Sequence, residues 1–358
     1  MEVSSYYNSS FLLTNYTFME SRKYFWDKYY SNLIFYIAFG SVICLAGLFS
    51  NLVCLIAIVT YPPLRKRTNI LVANLVIINI LLAVSVHPPA FVALLYRQYG
   101  LLPKNFCLFN VYYFFITHAF VWQECALAVN RFVAIILPLH YKLINTKSVM
   151  LWSVFAGYLI SFGINAYPLG ARVHSYVSSL PFGGCQYNPE GSNSFAVLHS
   201  VLGVYLPMGI MGVSYVVIFG TIVLRKMNGQ PGHLVAPPFR AASQVAPPSR
   251  AASQVQQARR FRLAVMLFVS VVWFALTYLP HPILTAFFKD IYTADPRSYF
   301  YVRWVLQLGV AGNPVIYALL NRDFRAGIAA VLTCKLPRRK VSPPEIQLLA
   351  MDHRSTPS

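Results

Sequence analysis

Long apolar runs separated by short polar segments dominate the chain. Seven such runs can be followed, at about 33–60, 70–96, 106–136, 149–171, 196–224, 262–287 and 299–320. Each can cross a membrane as a helix, because about 20 residues at 1.5 Å rise span a ~30 Å hydrocarbon core. A helix satisfies its own backbone hydrogen bonds in lipid. The pattern therefore predicts an all-α membrane protein built as a seven-transmembrane helix bundle, with its transmembrane domain at 33–320.

The segments around these runs predict how the chain sits in the membrane. Residues 1–32 are polar and aromatic, without the apolar stretch of a cleavable signal peptide, so the first run is expected to act as a signal anchor. Glycosylation sequons begin at Asn8 and Asn15, which favours an extracellular N-terminal tail. Most of the 29 Lys and Arg residues lie in segments that would then face the cytoplasm. This distribution predicts a multi-pass plasma-membrane protein with its N-terminus outside.

Two polar segments are predicted to be disordered inside the cell. Residues 228–258 contain the tandem repeat VAPPFRAASQ–VAPPSRAASQ, whose composition cannot build a core. Each repeat carries an Arg-Ala-Ala-Ser sequence that resembles a basophilic-kinase site, although a plain linker would look the same. The cytoplasmic tail at 335–358 contains Pro and Ser as well.

Residues 321–334 differ from the disordered segments. Phe324, Ile328, Val331 and Leu332 recur at helical spacing, which predicts a short amphipathic helix on the inner leaflet. Cys334 at its end is a palmitoylation candidate, with an unmodified thiol as the alternative.

Composition agrees with a membrane protein: 57% of the residues are hydrophobic and 11% are charged, against roughly 25% charged in soluble domains. The net charge of +19 lies in short loops, so no nucleic-acid partner is expected. The cysteine spacings fit no zinc or haem pattern, and neither a metal nor a cofactor is expected. Cys107 and Cys185 fall in or beside outward-facing segments, where an oxidising environment permits a bridge.

The third run carries two charges, Glu124 within it and Arg131 near its end. Arg131 alone could mark the membrane surface. With Cys107 at one end and Asn130-Arg131-Phe132 at the other, however, the run resembles the third helix of a rhodopsin-like (class A) G-protein-coupled receptor. Where this chain has Asn130-Arg131-Phe132, that family usually has Asp-Arg-Tyr.

Motifs on the other runs resemble the same family. They are Gly47 to Asn51, Asn69 to Asn74, Trp152, Pro207 with Tyr215, Phe274 to Pro280, and Asn313-Pro314 to Tyr317, in order on the first, second, fourth, fifth, sixth and seventh runs. The Asn-Arg-Phe form of the third-helix motif is similar to that of melatonin-type and related orphan receptors. Asn313-Pro314 departs from the melatonin pattern.

The resemblance implies a ligand-activated receptor that transmits an extracellular signal to heterotrimeric G proteins at the inner face. Membrane lipid, arrestin and kinases are further expected partners. The residues it implies for the activation switch are Asn130, Arg131, Pro207, Tyr215, Phe274, Pro280, Asn313, Pro314 and Tyr317. It also implies a disulfide between Cys107 and Cys185, which would tether the third helix to the second outer loop.

A ligand pocket is expected among helices three, five, six and seven. Its candidate lining residues are Tyr113, Phe114, Thr117, His118, His199, Tyr278, His281, Trp304 and Gln307. The alternative for the histidines is a role as hydrogen-bonded bundle residues, which is the commoner role of lone histidines. Tyr113 replaces the amine-binding aspartate of the family, and Gln307 replaces the retinal lysine. The ligand is therefore expected to be a peptide or a small non-amine molecule.

Several departures from the family pattern bear on the resting state. Neutral Asn130 should hold Arg131 by a hydrogen bond, which is weaker than a charge-assisted pair. Arg260 occupies the position of the usual acid on the sixth helix and would repel Arg131. Asn79 and Phe120 replace the sodium ligands, so no conventional sodium site is expected.

Glu124 is the nearest buried acid to that missing sodium site. It is expected to be either protonated or hydrogen-bonded to Asn79 or Asn313, and the alternative is a residue that faces lipid or has only a structural role.

Two other function classes compete with the receptor interpretation. An intramembrane enzyme could use Glu124, His118 and His199, but Glu124 and His118 are six positions apart and so lie on different helix faces. A transporter would favour paired broken helices in two halves, which seven runs and one inner repeat do not fit.

Overall fold

The computed structural model describes residues 3–97, 106–170, 176–178, 185–187, 193–227, 265–266, 268–288 and 296–335. Each of the seven predicted runs coincides with a helix. Helix 1 is Val3–Thr60, helix 2 Asn69–Leu81 and His87–Arg97, helix 3 Phe109–Ile136, helix 4 Lys147–Gly170, helix 5 Asn193–Ser200 and Leu206–Met227, helix 6 Phe268–Leu284 within the described residues, and helix 7 Pro296–Leu320. The predicted seven-helix fold class is confirmed.

Shorter elements join or extend these helices. The 3-10 turns are Pro62–Leu64 and Phe106–Leu108, and a short helix is Pro138–Ile144. Pro280–Phe287 forms the last part of helix 6 after a turn at Leu279, and the amphipathic helix is Arg322–Leu332. In the part of the chain that is described, strands β1 (Tyr176–Ser178) and β2 (Cys185–Tyr187) form the one antiparallel pair. This pair is the departure from the predicted all-α architecture.

Length and composition support membrane spanning for most of these helices. Five described stretches are long and apolar enough to cross a bilayer: Asp27–Thr60, Asn69–Leu95, Phe109–Ile136, Lys147–Ala166 and Phe195–Leu224. Large apolar side chains such as Trp152, Phe155, Val216 and Leu276 lie exposed on the outside of the bundle. In lipid such side chains are the favourable surface, because they face hydrocarbon instead of water.

Two π-helical segments accommodate prolines within helices 2 and 5. The first, Leu82–Val86, comes before Pro88 and Pro89, and the second, Val201–Tyr205, comes before Pro207. A proline cannot donate to the carbonyl four residues earlier, and its ring crowds that carbonyl. The wider π turn lies where these bonds are lost, and it shifts the direction of the side chains that follow.

Helix 3 is the central element of the bundle. It packs against helices 2, 4 and 5, and its buried residues include the polar Gln123, Glu124 and Arg131. Gln123 Nε2 donates to the Val154 carbonyl of helix 4 at 2.7 Å. Helix 3 ends at Ile136, two residues before Pro138. A proline disfavours helical geometry in the residue before it, which here is Leu137.

Asparagines in helices 1 and 2 make hydrogen bonds between helices. Asn51 Nδ2 donates to the Val310 carbonyl of helix 7 at 3.0 Å, and Tyr158 Oη of helix 4 donates to Asn74 Oδ1 at 3.0 Å. Both asparagines belong to the motifs that resemble the receptor family. The bonds give these motifs a structural role.

The amphipathic helix continues helix 7 at the end of the bundle that holds Arg131. Phe324 is buried against Tyr317, with ring centroids 5.3 Å apart, whereas Arg322, Arg325 and Leu332 are exposed. At the end of this helix, Lys335 N–H donates to the Ala330 carbonyl and Cys334 N–H donates to the Val331 carbonyl. Cys334 has φ 54°, the left-handed conformation typical of this helix ending.

Several sequence predictions lie outside the described residues. They concern the loop at 228–258, the position of Arg260 and most of the tail at 335–358. The side chains of Asn8, Asn15 and Cys185 also lie outside them.

Candidate functional site

A narrow cavity lies between helices 2, 3, 6 and 7. Its lining residues are Leu82, His87, Tyr113, Thr117, Phe120, Phe274, Thr277, Tyr278, Leu306, Gly309 and Val310. Its atom-free space, counted together with the open solvent at its mouth, is about 360 Å³, and about 20 Å³ of this admits the centre of a water molecule. Aromatic rings form one wall: Phe120 meets Phe274 edge-on at 5.4 Å, and Phe274 stacks on Tyr278 at 5.1 Å.

The cavity brings together only part of the predicted pocket. Tyr113, Thr117 and Tyr278 line it, and helix 2 contributes in place of helix 5. His118, His199 and Phe114 instead form a separate buried cluster between helices 3, 4 and 5. The ring centroids of His118 and His199 lie 4.4 Å apart, and Phe114 meets His199 edge-on at 4.8 Å.

Asn165 of helix 4 connects the two histidines of this cluster. Its Nδ2 atom donates to His118 Nδ1 at 3.1 Å and to the Ser161 carbonyl at 2.7 Å, and its Oδ1 atom accepts from His199 Nε2 at 3.0 Å. An amide nitrogen only donates and an amide oxygen only accepts. His118 Nδ1 is therefore an acceptor and His199 Nε2 carries a proton.

Trp304 and Gln307, also predicted to line the pocket, face helix 1. Trp304 Nε1 donates to the Tyr36 carbonyl at 3.1 Å, and Gln307 Nε2 donates to Tyr36 Oη at 3.2 Å. The Tyr36 ring stacks on Phe300 at 5.0 Å and meets Phe91 edge-on at 5.5 Å. These contacts join helices 1, 2 and 7 at the end of the bundle opposite Arg131.

Glu124 lies buried one helical turn from the cavity residue Phe120, towards Arg131. Asn313 Nδ2 of helix 7 donates to its Oε1 atom at 3.3 Å. Glu124 thus faces the bundle interior, and the lipid-facing alternative is wrong. Asn79 is fully buried with no hydrogen-bond partner at either side-chain atom in the described structure. Of the two expected partners of Glu124, the structure therefore pairs it with Asn313.

Arg131 is buried at the far end of helix 3. It interacts electrostatically with Tyr141, Tyr215 and Tyr317. Neighbouring Asn130 donates from Nδ2 to Met150 Sδ at 3.5 Å, and its Oδ1 atom has no partner in the described structure. The expected Asn130–Arg131 hydrogen bond is thus absent among the described contacts, because the Asn130 side chain points towards helix 4.

The remaining candidates of the predicted switch lie along the same interior. Phe274, Tyr215 and Tyr317 are buried, Pro314 lies inside helix 7, Pro207 follows the π turn of helix 5, and Pro280 follows a break at Leu279 in helix 6. The cysteines differ in their state. Cys107 is disulfide-bonded, while Cys44, Cys54, Cys125 and Cys334 are free. The pairing of Cys107 with Cys185 stays a prediction. Within the described residues, no group of three or more His, Cys, Asp and Glu side chains could hold a metal ion.

The family follows from comparison with known proteins. A family model of the seven-transmembrane receptors of the rhodopsin family matches residues 50–317. The chain belongs to this family. The family is one of receptors and not of enzymes, and the predicted resemblance is confirmed.

Individual relatives are similar to the receptor at modest identity. The neuromedin-K receptor of Cavia porcellus is 26% identical over 306 residues, which cover 81% of this chain and 63% of that protein. The neuromedin-K receptor of Rattus norvegicus is 26% identical over 309 residues, covering 81% and 61%. Human trace amine-associated receptor 6 is 29% identical over 317 residues, covering 85% and 86%. The receptor thus spans less than two thirds of the length of the neuromedin-K receptors it matches.

Sequence reasoning missed four residues that shape these sites: His87, Asn165, Tyr36 and Arg303. Asn165 and His87 are polar residues within apolar runs, and polar residues inside a span usually face the bundle interior. That signal could have found both. Tyr36 and Arg303 lie near span ends, where aromatic and basic residues are common at the membrane interface, so nothing in the sequence distinguished them.

Proposed function

We propose that the receptor binds an extracellular ligand and activates heterotrimeric G proteins at its cytoplasmic face. The observation that carries this proposal is a series of buried residues from the cavity to Arg131, linked by one hydrogen bond and by electrostatic interactions. Phe120 forms part of the cavity wall, and Glu124, one turn further, is bonded to Asn313. Glu124 interacts electrostatically with Tyr215 and Tyr317, and both tyrosines interact with Arg131.

This arrangement can couple ligand binding to a change near Arg131. The prolines in helices 6 and 7 free backbone carbonyls, so one half of each helix can move relative to the other. A ligand that separates Phe274 from Phe120 would displace helix 6 from helix 3. A ligand shifts such an equilibrium only by its difference in affinity for the two states. We assign the switch role to the buried residues around Arg131 on that basis.

The ligand is a peptide or a small non-amine molecule. The names of the relatives point to neuromedin K for one receptor and to trace amines for another. An amine would need an acidic partner, and none of the described cavity residues is acidic. Tyr113 also stands where the resemblance places the amine-binding aspartate.

The membrane arrangement completes the proposal. The N-terminus lies outside a plasma membrane, with glycans at Asn8 and Asn15 and a Cys107–Cys185 disulfide at the outer end of helix 3. The amphipathic helix lies on the inner leaflet, where the exposed Cys334 thiol is open to palmitoylation. Arrestin and kinases bind the same face, and lipid surrounds the apolar exterior.

The test compares wild type with Arg131→Ala in cell membranes. Surface labelling should give equal receptor levels, while nucleotide exchange on added G protein should fall to background in the variant. Arg325→Ala, on the exposed face of the amphipathic helix, is the matched control and should keep its exchange rate. Equal exchange by wild type and Arg131→Ala would refute the proposed switch.

A further inference from the structure

Arg303 of helix 7 places a positive charge beside the cavity. Its Cζ atom lies 5.6 Å from the centroid of the Tyr113 ring, and Tyr113 lines the cavity. A guanidinium over an aromatic face is held by the ring quadrupole while its N–H groups stay directed to the sides. Arg303 is therefore a half-buried cation fixed next to the cavity wall.

His87 supplies an uncommitted polar atom to the same cavity. The side chain lines the cavity and is 6% exposed, and its Nε2 atom has no hydrogen-bond partner in the described structure. A buried imidazole nitrogen without a partner is destabilising, so most such atoms in proteins are hydrogen-bonded. The π turn at Leu82–Val86 directly precedes His87 and sets the position from which its ring enters the cavity.

His87 and His281 share the Arg303 guanidinium as a charged neighbour, which repels a protonated imidazole and does not bind it. The basic cluster of Arg303, His87 and His281 thus borders a cavity whose described lining contains no acidic residue. The remaining lining is aromatic and aliphatic, as in sites where a few polar groups orient an apolar ligand.

We propose that this cavity binds a ligand through a carboxylate, held by Arg303 and His87, with the ligand's apolar part against Tyr113, Phe274 and Tyr278. The planar guanidinium fork matches the two carboxylate oxygens, and His87 donates a further bond in its Nε2–H tautomer. This inference rests on the proposed receptor function, because it names the ligand class for the same cavity. A peptide C-terminus and a free organic acid share this chemistry.

The test measures thermal unfolding of the purified full-length receptor with matched acid and amide probes. The pairs are octanoate with octanamide, 4-phenylbutyrate with 4-phenylbutyramide, and Gly-Gly-Phe with its C-terminal amide. In the wild type at least one acid should raise Tm by about 2–4 °C at saturating concentration, and its amide should not. Stabilisation by the small acids identifies a free organic acid, and stabilisation by the tripeptide alone identifies a peptide C-terminus.

Variants assign this selectivity to the basic cluster. Arg303→Gln should abolish the difference between acid and amide, and Arg303→Lys, which keeps the charge without the fork, should reduce it. Should Arg303→Gln fail to fold, the Arg303→Lys result decides. His87→Gln should weaken acid binding several-fold. Arg297→Gln, an exposed position on the same helix, is the control and should behave as wild type.

The outcomes separate this inference from the proposed function. The inference is overturned if no acid stabilises the wild type more than its amide, or if Arg303→Gln retains the selectivity. Nucleotide exchange on added G protein is measured in the same preparations. Exchange without acid selectivity would contradict only the ligand class, whereas acid-selective binding without exchange by any preparation would contradict only the receptor activity.

Discussion

Asn313 donates a hydrogen bond from Nδ2 to Oε1 of Glu124 at 3.3 Å, so two residues 189 positions apart join helix 7 to helix 3. The bond is buried and lies between the cavity and Arg131. A movement of helix 7 away from helix 3 must break it, which leaves a buried amide and a buried carboxyl without partners. The bond therefore favours the state in which it forms.

Replacing Glu124 by Leu should raise ligand-free activity. The change removes the acceptor of Asn313, and a net hydrogen bond contributes about 1 kcal/mol, which corresponds to roughly a fivefold shift between resting and active states. The measurement is nucleotide exchange on added G protein, normalised to surface receptor. Glu124→Gln keeps an acceptor oxygen and should stay near wild type. Unchanged exchange in Glu124→Leu at normal surface levels would show that this bond does not hold the resting state.

Replacing Asn130 by Asp should lower ligand-free activity. Asn130 contacts Met150 and has no hydrogen bond to Arg131 in the described structure, so Arg131 lacks the acidic neighbour that the family usually provides. A carboxylate at this position can form a charge-assisted pair with the guanidinium, which is stronger than a neutral bond.

Ligand-free nucleotide exchange checks this expectation against Asn130→Ala, which supplies no charge. The aspartate variant should give the lowest exchange of the three proteins. Exchange in Asn130→Asp at or above the wild-type level would mean that the resting state does not depend on this pair.

Apolar run length determines the helix spans of this fold, whereas packing between helices determines which polar side chains meet. The helix spans followed from apolar run length, and motif resemblance identified Asn51 and Asn74 as positions that match the family's motifs. The sequence left open whether His118 and His199 would line the cavity or be hydrogen-bonded within the bundle, and it did not identify Asn165 as their partner. That outcome depends on the rotation of helices 3 and 5, and the π turn before Pro207 sets this rotation for helix 5.

The hydrogen-bond partner of Glu124 also depends on packing between helices. Its sequence position identified a buried acid but left both Asn79 and Asn313 as partners. The packing of helix 7 decides between them. Asn313 comes within hydrogen-bond distance of Glu124, whereas Asn79 has no hydrogen-bond partner in the described structure. Distances between helices are set by side-chain volumes along the whole interface, which a single run of residues does not contain.

Replacing Asn165 by Ala should destabilise the receptor by about 2–4 kcal/mol. The change removes the partner of His118 Nδ1 and of His199 Nε2, and each buried polar atom left without a partner costs about 1–3 kcal/mol. Thermal unfolding of purified receptor measures the loss. Ser153→Ala on the same helix removes only a bond to the preceding turn at an exposed position and should leave Tm unchanged. A Tm for Asn165→Ala equal to that of Ser153→Ala would contradict the role of this network.

Gly203 allows helix 5 to approach the His118 ring of helix 3. A Cβ atom at Gly203 would overlap the Nε2, Cε1 and Cδ2 atoms of His118, while a Cβ at Gly209 on the same helix would meet nothing within 4 Å. The His118 ring cannot move aside easily, because Asn165 holds its Nδ1 atom and His199 packs on its face. The two glycines therefore lie on the same helix, but only Gly203 has neighbouring atoms at the position that a Cβ atom would take.

Gly203→Ala should destabilise the receptor by about 1–3 kcal/mol through this overlap, whereas Gly209→Ala should be neutral or stabilising by up to about 1 kcal/mol, because alanine favours helix. The cause can be isolated with His118→Ala, which removes the ring. If overlap is the reason, adding Gly203→Ala to His118→Ala should cost little more, so the two changes would be non-additive. Additive losses in Tm would assign the effect of Gly203→Ala to the π turn itself and not to contact with His118.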